Sequence, residues 1–201
     1  MNLNLYLNKF SEILKSIQVT EIELAIAEIE KMYHTGKNIF VIGNGGSAAN
    51  ASHLAQDMAK GVFLDQDVEK RIKAMSLTDN TPYITALGND DGYERIFEAQ
   101  LRTFANRGDL LIVISGSGNS KNILKALEFA KEKKLSTLGF SGYDGGKMRE
   151  LLDIEVFIPL FEMCTVESVH TVIFHYIILE LRERLTNVNF NQSCLNLNTN
   201  E

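Results

Sequence analysis

The chain has 201 residues, 45% of them apolar and 23% charged, a size that buries about 70% of the unfolded surface in one ordinary domain. A net charge of -6 and a pI near 5.3 argue against a broad nucleic-acid-binding face, and the two cysteines, Cys164 and Cys194, make neither a C-x-x-C pair nor a zinc-finger spacing. A small ligand and a reducing cytoplasm are the expectations.

The N-terminal stretch "MNLNLYLNKFSEILKS" has no basic segment followed by an apolar core. The longest aliphatic run, Leu110 to Ile114, is far too short to span a bilayer, so neither secretion nor membrane insertion is expected. Leu3, Tyr6, Leu7, Phe10, Ile13, Leu14 and Ile17 recur at helical spacing. A second helix follows, with Thr20 as N-cap, Glu23 three residues on, an apolar face of Ile22, Ile26, Ile29 and Tyr33, and a stop at Gly36. Both helices can pack on the domain or on a partner subunit.

From Asn38 short apolar runs alternate with helical stretches. "NIFVIG", "KAMSLT", "DLLIVISG", "LSTLGFSG" and "DIEVFIP" are strand candidates, and helices are expected over 47–60, 93–105, 120–133, 146–151 and 166–184. That alternation means an α/β fold with a largely parallel sheet. No linker divides residues 1–186, while 187–201 is rich in Asn, lacks periodicity and is expected to fray.

Two strand-to-helix loops suit an anion. "GNGGSAAN" has Gly43, Gly45 and Ala48 at the spacing of a dinucleotide fingerprint, with Asp65 near the usual distance beyond. "ISGSGNS" places Ser115, Gly116, Ser117, Gly118, Asn119 and Ser120 before the third helix of the alternation. Glycines admit close backbone approach, and a helix start offers free N–H groups and a positive dipole end. Turn residues also serve an ordinary flexible turn, and a nicotinamide oxidoreductase remains a reading of the first loop alone. A second serine-rich loop favours a phosphorylated sugar, whose phosphate and hydroxyls each need a loop. Both loops belong at the carboxyl edge of the sheet, facing one crevice.

Only four histidines are present. His34 beside Gly36 reads as an ordinary helix C-terminal residue. His53 and Asp57 lie four apart on one helix face, whereas His170 and His175 share the last helix with Glu167. His175 sits in a run of Val, Ile, Phe and Tyr, where an unpartnered buried imidazole is costly. Asp57 poses the same problem beside Ala55 and Met58. The two are therefore expected to meet, as an acid/base pair or as metal ligands.

"GNGGSAANASH", "GNDDGYERIF", "ISGSGNS", "GYDGGKM" and "VESVHTVIFH", in that order and over nearly the whole chain, resemble the SIS-domain phosphoheptose isomerases. The resemblance implies a three-layer sandwich, a five-stranded parallel sheet flanked by helices, in a cytoplasmic homotetramer with sites at subunit interfaces. It places the substrate on Asn44, Gly45, Gly46, Ser47, Asp90, Ser115, Gly116, Ser117, Ser120 and Glu167, and catalysis on Asp57 and His175. Where members hold zinc, its ligands fall on His53, Asp57, Glu167 and His175; no nucleotide cofactor, nucleic acid or membrane is implied. The reaction converts sedoheptulose 7-phosphate into D-glycero-D-manno-heptose 7-phosphate through an enediol. Relatives that have lost the carboxylate and histidine bind phosphosugars or a replication initiator, and this chain keeps both groups.

Four departures stand out. Asp57 replaces the usual Glu, Glu167 the usual Gln, Lys60 and Gly61 occupy the neighbourhood of a missing arginine, and "LFEMCTV" lacks the family's Asp-Arg and is one residue shorter. Glu167 and His175 are eight residues apart, about 12 Å along an ideal helix. They share an ion only if Glu167 leaves the helix start or the ligands come from different subunits.

Overall fold

A computed structural model describes residues 2–64 and 67–186. Asp65 and the tail 187–201 lie outside the described residues. Two helices, α1 (Leu3–Ser16) and α2 (Val19–Thr35), precede strand β1 (Asn38–Gly43). Next come α3 (Gly46–Gln56) with a π turn (Asp57–Gly61), β2 (Lys73–Ser76), α4 (Thr81–Asp90), a 3-10 turn (Tyr93–Arg95) and α5 (Glu98–Phe104). The remainder is β3 (Leu110–Ser115), α6 (Lys121–Lys133), β4 (Ser136–Ser141), a 3-10 turn (Lys147–Leu151), β5 (Ile154–Phe157) and α7 (Met163–Thr186).

The five strands form one all-parallel sheet in the order β2-β1-β3-β4-β5. Alternate residues feed two cores. Ile39, Val41, Ile112 and Ile114 pack with α2, α3 and α7 on one face, whereas Phe40, Ile42, Leu111 and Val113 pack with α5 and α6 on the other. The chain leaves β1 in opposite directions toward β2 and β3, so the carboxyl ends of β1 and β3 open a switch-point crevice. The two glycine-rich loops begin there.

Several elements differ from the sequence expectation. α2 starts at Val19 with Gln18 as its N-cap residue, so the Thr20–Glu23 capping pair does not form, whereas Gly36 does close the helix in the left-handed region at φ 67°. Instead, Glu21 Oε2 accepts a bond from Phe157 N at 3.1 Å, tying α2 to the last strand. α4 falls outside the expected helices, although Asn80 caps Tyr83 N and Pro82 sits in its first turn, both ordinary start signals. The helix expected over 93–105 is split in two, and the one over 47–60 gives way to the π turn at Asp57. Among the described residues, α7 is the one helix long and apolar enough to cross a membrane. Its apolar face lies in the protein core, where Val166, Val169, Ile173, Ile177 and Leu181 are buried.

Candidate active site

The first loop leaves β1 at Gly43, where a Cβ would lie 2.6 Å from the carbonyl carbon of Ser47, so only glycine permits the turn into α3. Asn44 is held by a reciprocal amide pair with Asn122 of α6 (3.0 and 2.8 Å) and by the Tyr93 hydroxyl, which donates to Asn44 Oδ1 at 3.0 Å. Gly45, at φ 56°, is the N-cap residue of α3. The Glu167 carboxylate covers Gly46, where a Cβ would come 2.6 Å from Oε1 and push the carboxylate aside. Ser47 is buried and its Oγ donates to Glu167 Oε1 at 3.4 Å.

The second loop is locked from beneath. Ser115 Oγ accepts from Gly118 N (3.1 Å) and Asn119 Nδ2 donates to Ser117 O (2.8 Å). Lys147 N donates to Asn119 Oδ1 (3.1 Å) and Met148 N to Gly118 O (3.0 Å), so the "GYDGGKM" segment sets the loop's shape. Gly118, at φ 62°, lies too close to the Gly145 backbone for any Cβ, and Gly116 is covered by Met163. Ser120 is the N-cap residue of α6, yet its hydroxyl makes no capping bond. Asp90 ends α4, exposed, with Asn89 donating to it at 2.7 Å; no hydrogen bond ties it to either loop within one chain.

His53 and Asp57 come from the end of α3 and the π turn, and His175 comes from α7. His53 Nε2 lies 3.2 Å from Asp57 Oδ2, His175 Nε2 lies 3.9 Å from the same oxygen, and the two Nε2 atoms are 3.4 Å apart. A π turn adds one residue to the helical repeat and re-aims the side chains beyond it, a device common at functional sites. Gly61 closes it, and Arg182 of α7 donates to Gly61 O at 2.6 Å. Arg182 thus reaches, from another helix, the neighbourhood in which the family arginine is missing.

The expected meeting of Asp57 and His175 is therefore seen, but its stated cause is not. The His175 side chain is 52% exposed, and the buried imidazole is His170, five residues earlier. His170 is fully buried beside Phe140 and Phe174, with Nε2 donating to Ser141 O at 3.1 Å and Nδ1 unpartnered. Burial pushes its pKa down to about 4, so the ring is neutral. Helical phase decides which imidazole faces inward, and a run of apolar neighbours does not report it.

His53, Asp57 and His175 present three ligand atoms all within 4.8 Å of one another. Two imidazole nitrogens facing each other across one carboxylate oxygen form a donor set that suits zinc, so the residues fit such an ion. Glu167 does not join them within one chain. It lies in the second turn of a helix that begins at Met163, and its carboxylate turns toward Gly46 and Ser47 instead.

A family model described as SIS domain matches residues 5–142. Phosphoheptose isomerase 2 of Campylobacter jejuni is 41% identical over 169 residues, covering 83% of this chain and 82% of that protein. The chain belongs to the SIS-domain phosphoheptose isomerases. Two solved phosphoheptose isomerases share the fold at higher divergence. That of Neisseria gonorrhoeae is 30% identical with a TM-score of 0.78, over 86% of this chain and 91% of the other. That of Francisella tularensis is 25% identical with a TM-score of 0.81, over 90% and 96%. The SIS-domain match covers both serine-glycine loops and, of the imidazole-carboxylate trio, His53 and Asp57. It leaves unread the supports that sequence reasoning missed: Asn122 and Tyr93 behind Asn44, Met163 over Gly116, and Arg182 behind the π turn.

Proposed function

We propose that the chain interconverts sedoheptulose 7-phosphate and D-glycero-D-manno-heptose 7-phosphate in heptose biosynthesis, with catalysis on Asp57 and His175. The observation that carries the residue assignment is the convergence of His53, Asp57 and His175 within hydrogen-bonding range in a fold whose crevice holds two glycine-serine loops. The loop from Ser115 to Ser120 takes the phosphate, using the free hydroxyl of Ser120 and the N-terminus of α6. Ser115 and Ser117 add hydroxyls on either side of Gly116. Ser47 of the first loop joins these serines on the phosphate, Asn44, Gly45 and Gly46 face the sugar's oxygens, and Asp90 lines the site.

Aldose–ketose exchange moves one proton between adjacent carbons and another between their oxygens. Asp57 and His175 divide these transfers. The π turn and the Arg182 contact hold Asp57 in place, compensating geometrically for a side chain one methylene shorter than the family's Glu. His53, Asp57 and His175 would hold a zinc ion, which when bound polarises carbonyl and hydroxyl oxygens as a Lewis acid. Glu167 becomes a fourth ligand only across subunits. Residues 1–186 act as one domain in a cytoplasmic homotetramer.

The test is incubation of the purified chain with sedoheptulose 7-phosphate and detection of the aldose phosphate by proton NMR. Product formation is expected without nicotinamide. Binding without product would mark a non-catalytic phosphosugar-binding protein and refute the isomerase reading.

A further inference from the structure

We propose that His170 is a positioning residue for the second loop: its Nε2–H ties the carboxyl end of β4 to α7 and so holds Gly116 and the serines around it in the shape that receives the phosphate. The proposal rests on the phosphate assignment above and adds to it a residue that acts through the backbone.

The imidazole lands on a carbonyl that already has a partner. Ser141 O accepts from Ile158 N at 3.1 Å, and His170 Nε2 lies 3.1 Å from the same oxygen. One bond satisfies a buried carbonyl, so the histidine is not required by the hydrogen-bond accounting of the sheet. Nor is it the cheapest way to fill the space. Its Nδ1 is unpartnered, whereas an aliphatic side chain would occupy the place beside Phe140 and Phe174 without burying an unpaired nitrogen. The ring is neutral, and because a carbonyl only accepts, its one proton sits on Nε2. What the imidazole adds is that second donor.

Ser141 O is one peptide from the loop's support. Ser141 ends β4 in register with Ser115, which ends β3. The next residue, Gly142, donates to Gly116 O at 3.1 Å, and Gly145, whose backbone blocks the Cβ position of Gly118, donates to Gly142 O at 2.8 Å. Two more side chains of α7 reach the same place. A Cβ on Gly116 would come 2.7 Å from Met163 Sδ, and one on Gly142 would come 2.8 Å from Val166 Cγ1. Met163, Val166 and His170 follow at intervals of three and four residues, so one face of α7 lies on the exits of β3 and β4.

Of these three contacts, those of Met163 and Val166 are apolar and non-directional, and they tolerate sliding. The His170 bond alone fixes both a distance and an angle. The adjoining face of α7 is anchored separately to α3: Thr171 Oγ1 donates to Asn50 Oδ1 at 3.2 Å, and Asn50 Nδ2 donates to Glu167 O at 3.2 Å. Loss of the His170 bond therefore loosens the second loop while these α3 contacts keep His175 beside His53. Affinity for phosphate should suffer and the proton-transfer step should not.

The full-length protein is compared with His170→Leu, which fills the space without a donor, and with His170→Gln, whose amide keeps one. Inorganic phosphate is titrated calorimetrically, and KM and kcat are measured with sedoheptulose 7-phosphate. In His170→Leu phosphate affinity should fall about fivefold or more and KM rise about tenfold, with kcat within about threefold of the parent, and His170→Gln should recover most of both losses. A purely structural role would lower stability and leave KM unmoved in the folded fraction, which circular dichroism reports. Parent-like phosphate affinity and KM in a folded His170→Leu, or no recovery in a folded His170→Gln, overturns the proposal. Nitrogen-15 NMR of the parent's histidines keeps the test open if the variants fail to fold: His170 must be the Nε2–H tautomer, and an Nδ1–H ring overturns the proposal. Turnover with an unmoved KM removes the His170 assignment alone, whereas weakened phosphate binding in His170→Leu without any turnover by the parent removes the isomerase reading alone.

Discussion

Asp57 lies between two imidazoles, and removing its charge or the Nε2 of His175 takes away proton transfer and ion binding together while changing little in volume. Asp57→Asn and His175→Gln should each lower kcat by 100-fold or more, a typical scale for general acid–base groups, with an unchanged circular dichroism spectrum. Because His53 completes the donor set, elemental analysis of the untreated protein should find close to one zinc per chain, and chelation should slow turnover until zinc is restored. Full activity in a zinc-free sample would leave Asp57 and His175 as a metal-free pair. His170 makes a separate prediction. Its pKa is about 4 in the fold against an ordinary 6.5, so below 6.5 the unfolded chain takes up a proton that the folded chain refuses. The sign is thus a stability fully present above pH 6.5, falling between 6.5 and 4 by about 3 kcal/mol, and level below. Urea titrations of parent and His170→Gln across that window check it, and the variant, which cannot titrate there, should show a shallower fall. Both imidazoles were visible in the sequence, but which of them is buried was not. His170 and His175 are five residues apart, so they lie on opposite sides of α7, and only packing against β4 says which side is inside.

At the level of elements, the strands were the most legible feature, since Asn38–Gly43 and Leu110–Ser115 alternate between two cores and end in glycine or serine loops. Helix ends were less so. The Thr20–Glu23 pair has the spacing of a capping box, yet Val19 enters the helix first and Glu21 is drawn to β5, a tertiary contact that spacing cannot report. The π turn was invisible for a related reason: nothing in "DMAKG" forbids an α-helix, and the bond from Arg182 of α7 to Gly61 O at its end is a tertiary contact. The two glycine-serine loops, by contrast, were readable because their glycines are demanded by backbone geometry. Gly118 combines φ 62° with a Cβ position blocked by the Gly145 backbone and 3.1 Å from Met148 Cγ. Gly118→Ala should therefore cost more than the 1 kcal/mol or so of a simple left-handed penalty, on the order of 2–4 kcal/mol once the displaced backbone is counted. Urea unfolding measures this. The same substitution shifts Ser117 and Ser120, so KM for the sugar phosphate should rise at least tenfold in whatever fraction folds, and a parent-like KM would move the phosphate out of this loop.

At the scale of the molecule, the least self-sufficient part is α1. None of its 14 residues is buried, and an isolated helix of that length is marginal in water. Phe10, Ile13, Leu14 and Ile17 rest partly on the core, but Leu3, Leu5 and Leu7 are more than half exposed. Next to α1, Val19 at 68% and Val172 at 44% exposure border a groove lined by Leu14, Ile17, Ile22, Ile173 and Tyr176. Exposed apolar surface of this extent marks a place of association. In the proposed homotetramer these helices pack between subunits, which stabilises α1 and brings α7, with Glu167 and His175, to the boundary. Analytical ultracentrifugation should then give four times the 22.5 kDa of one chain. Leu7→Glu with Val19→Glu puts unpaired charge into that contact without touching either loop or the imidazole trio, so the double variant should sediment as a smaller species. Its activity per chain should fall if a neighbouring subunit completes the site, and recover as concentration is raised. A parent that sediments as a monomer would remove the tetramer, and with it the only route by which Glu167 reaches the metal.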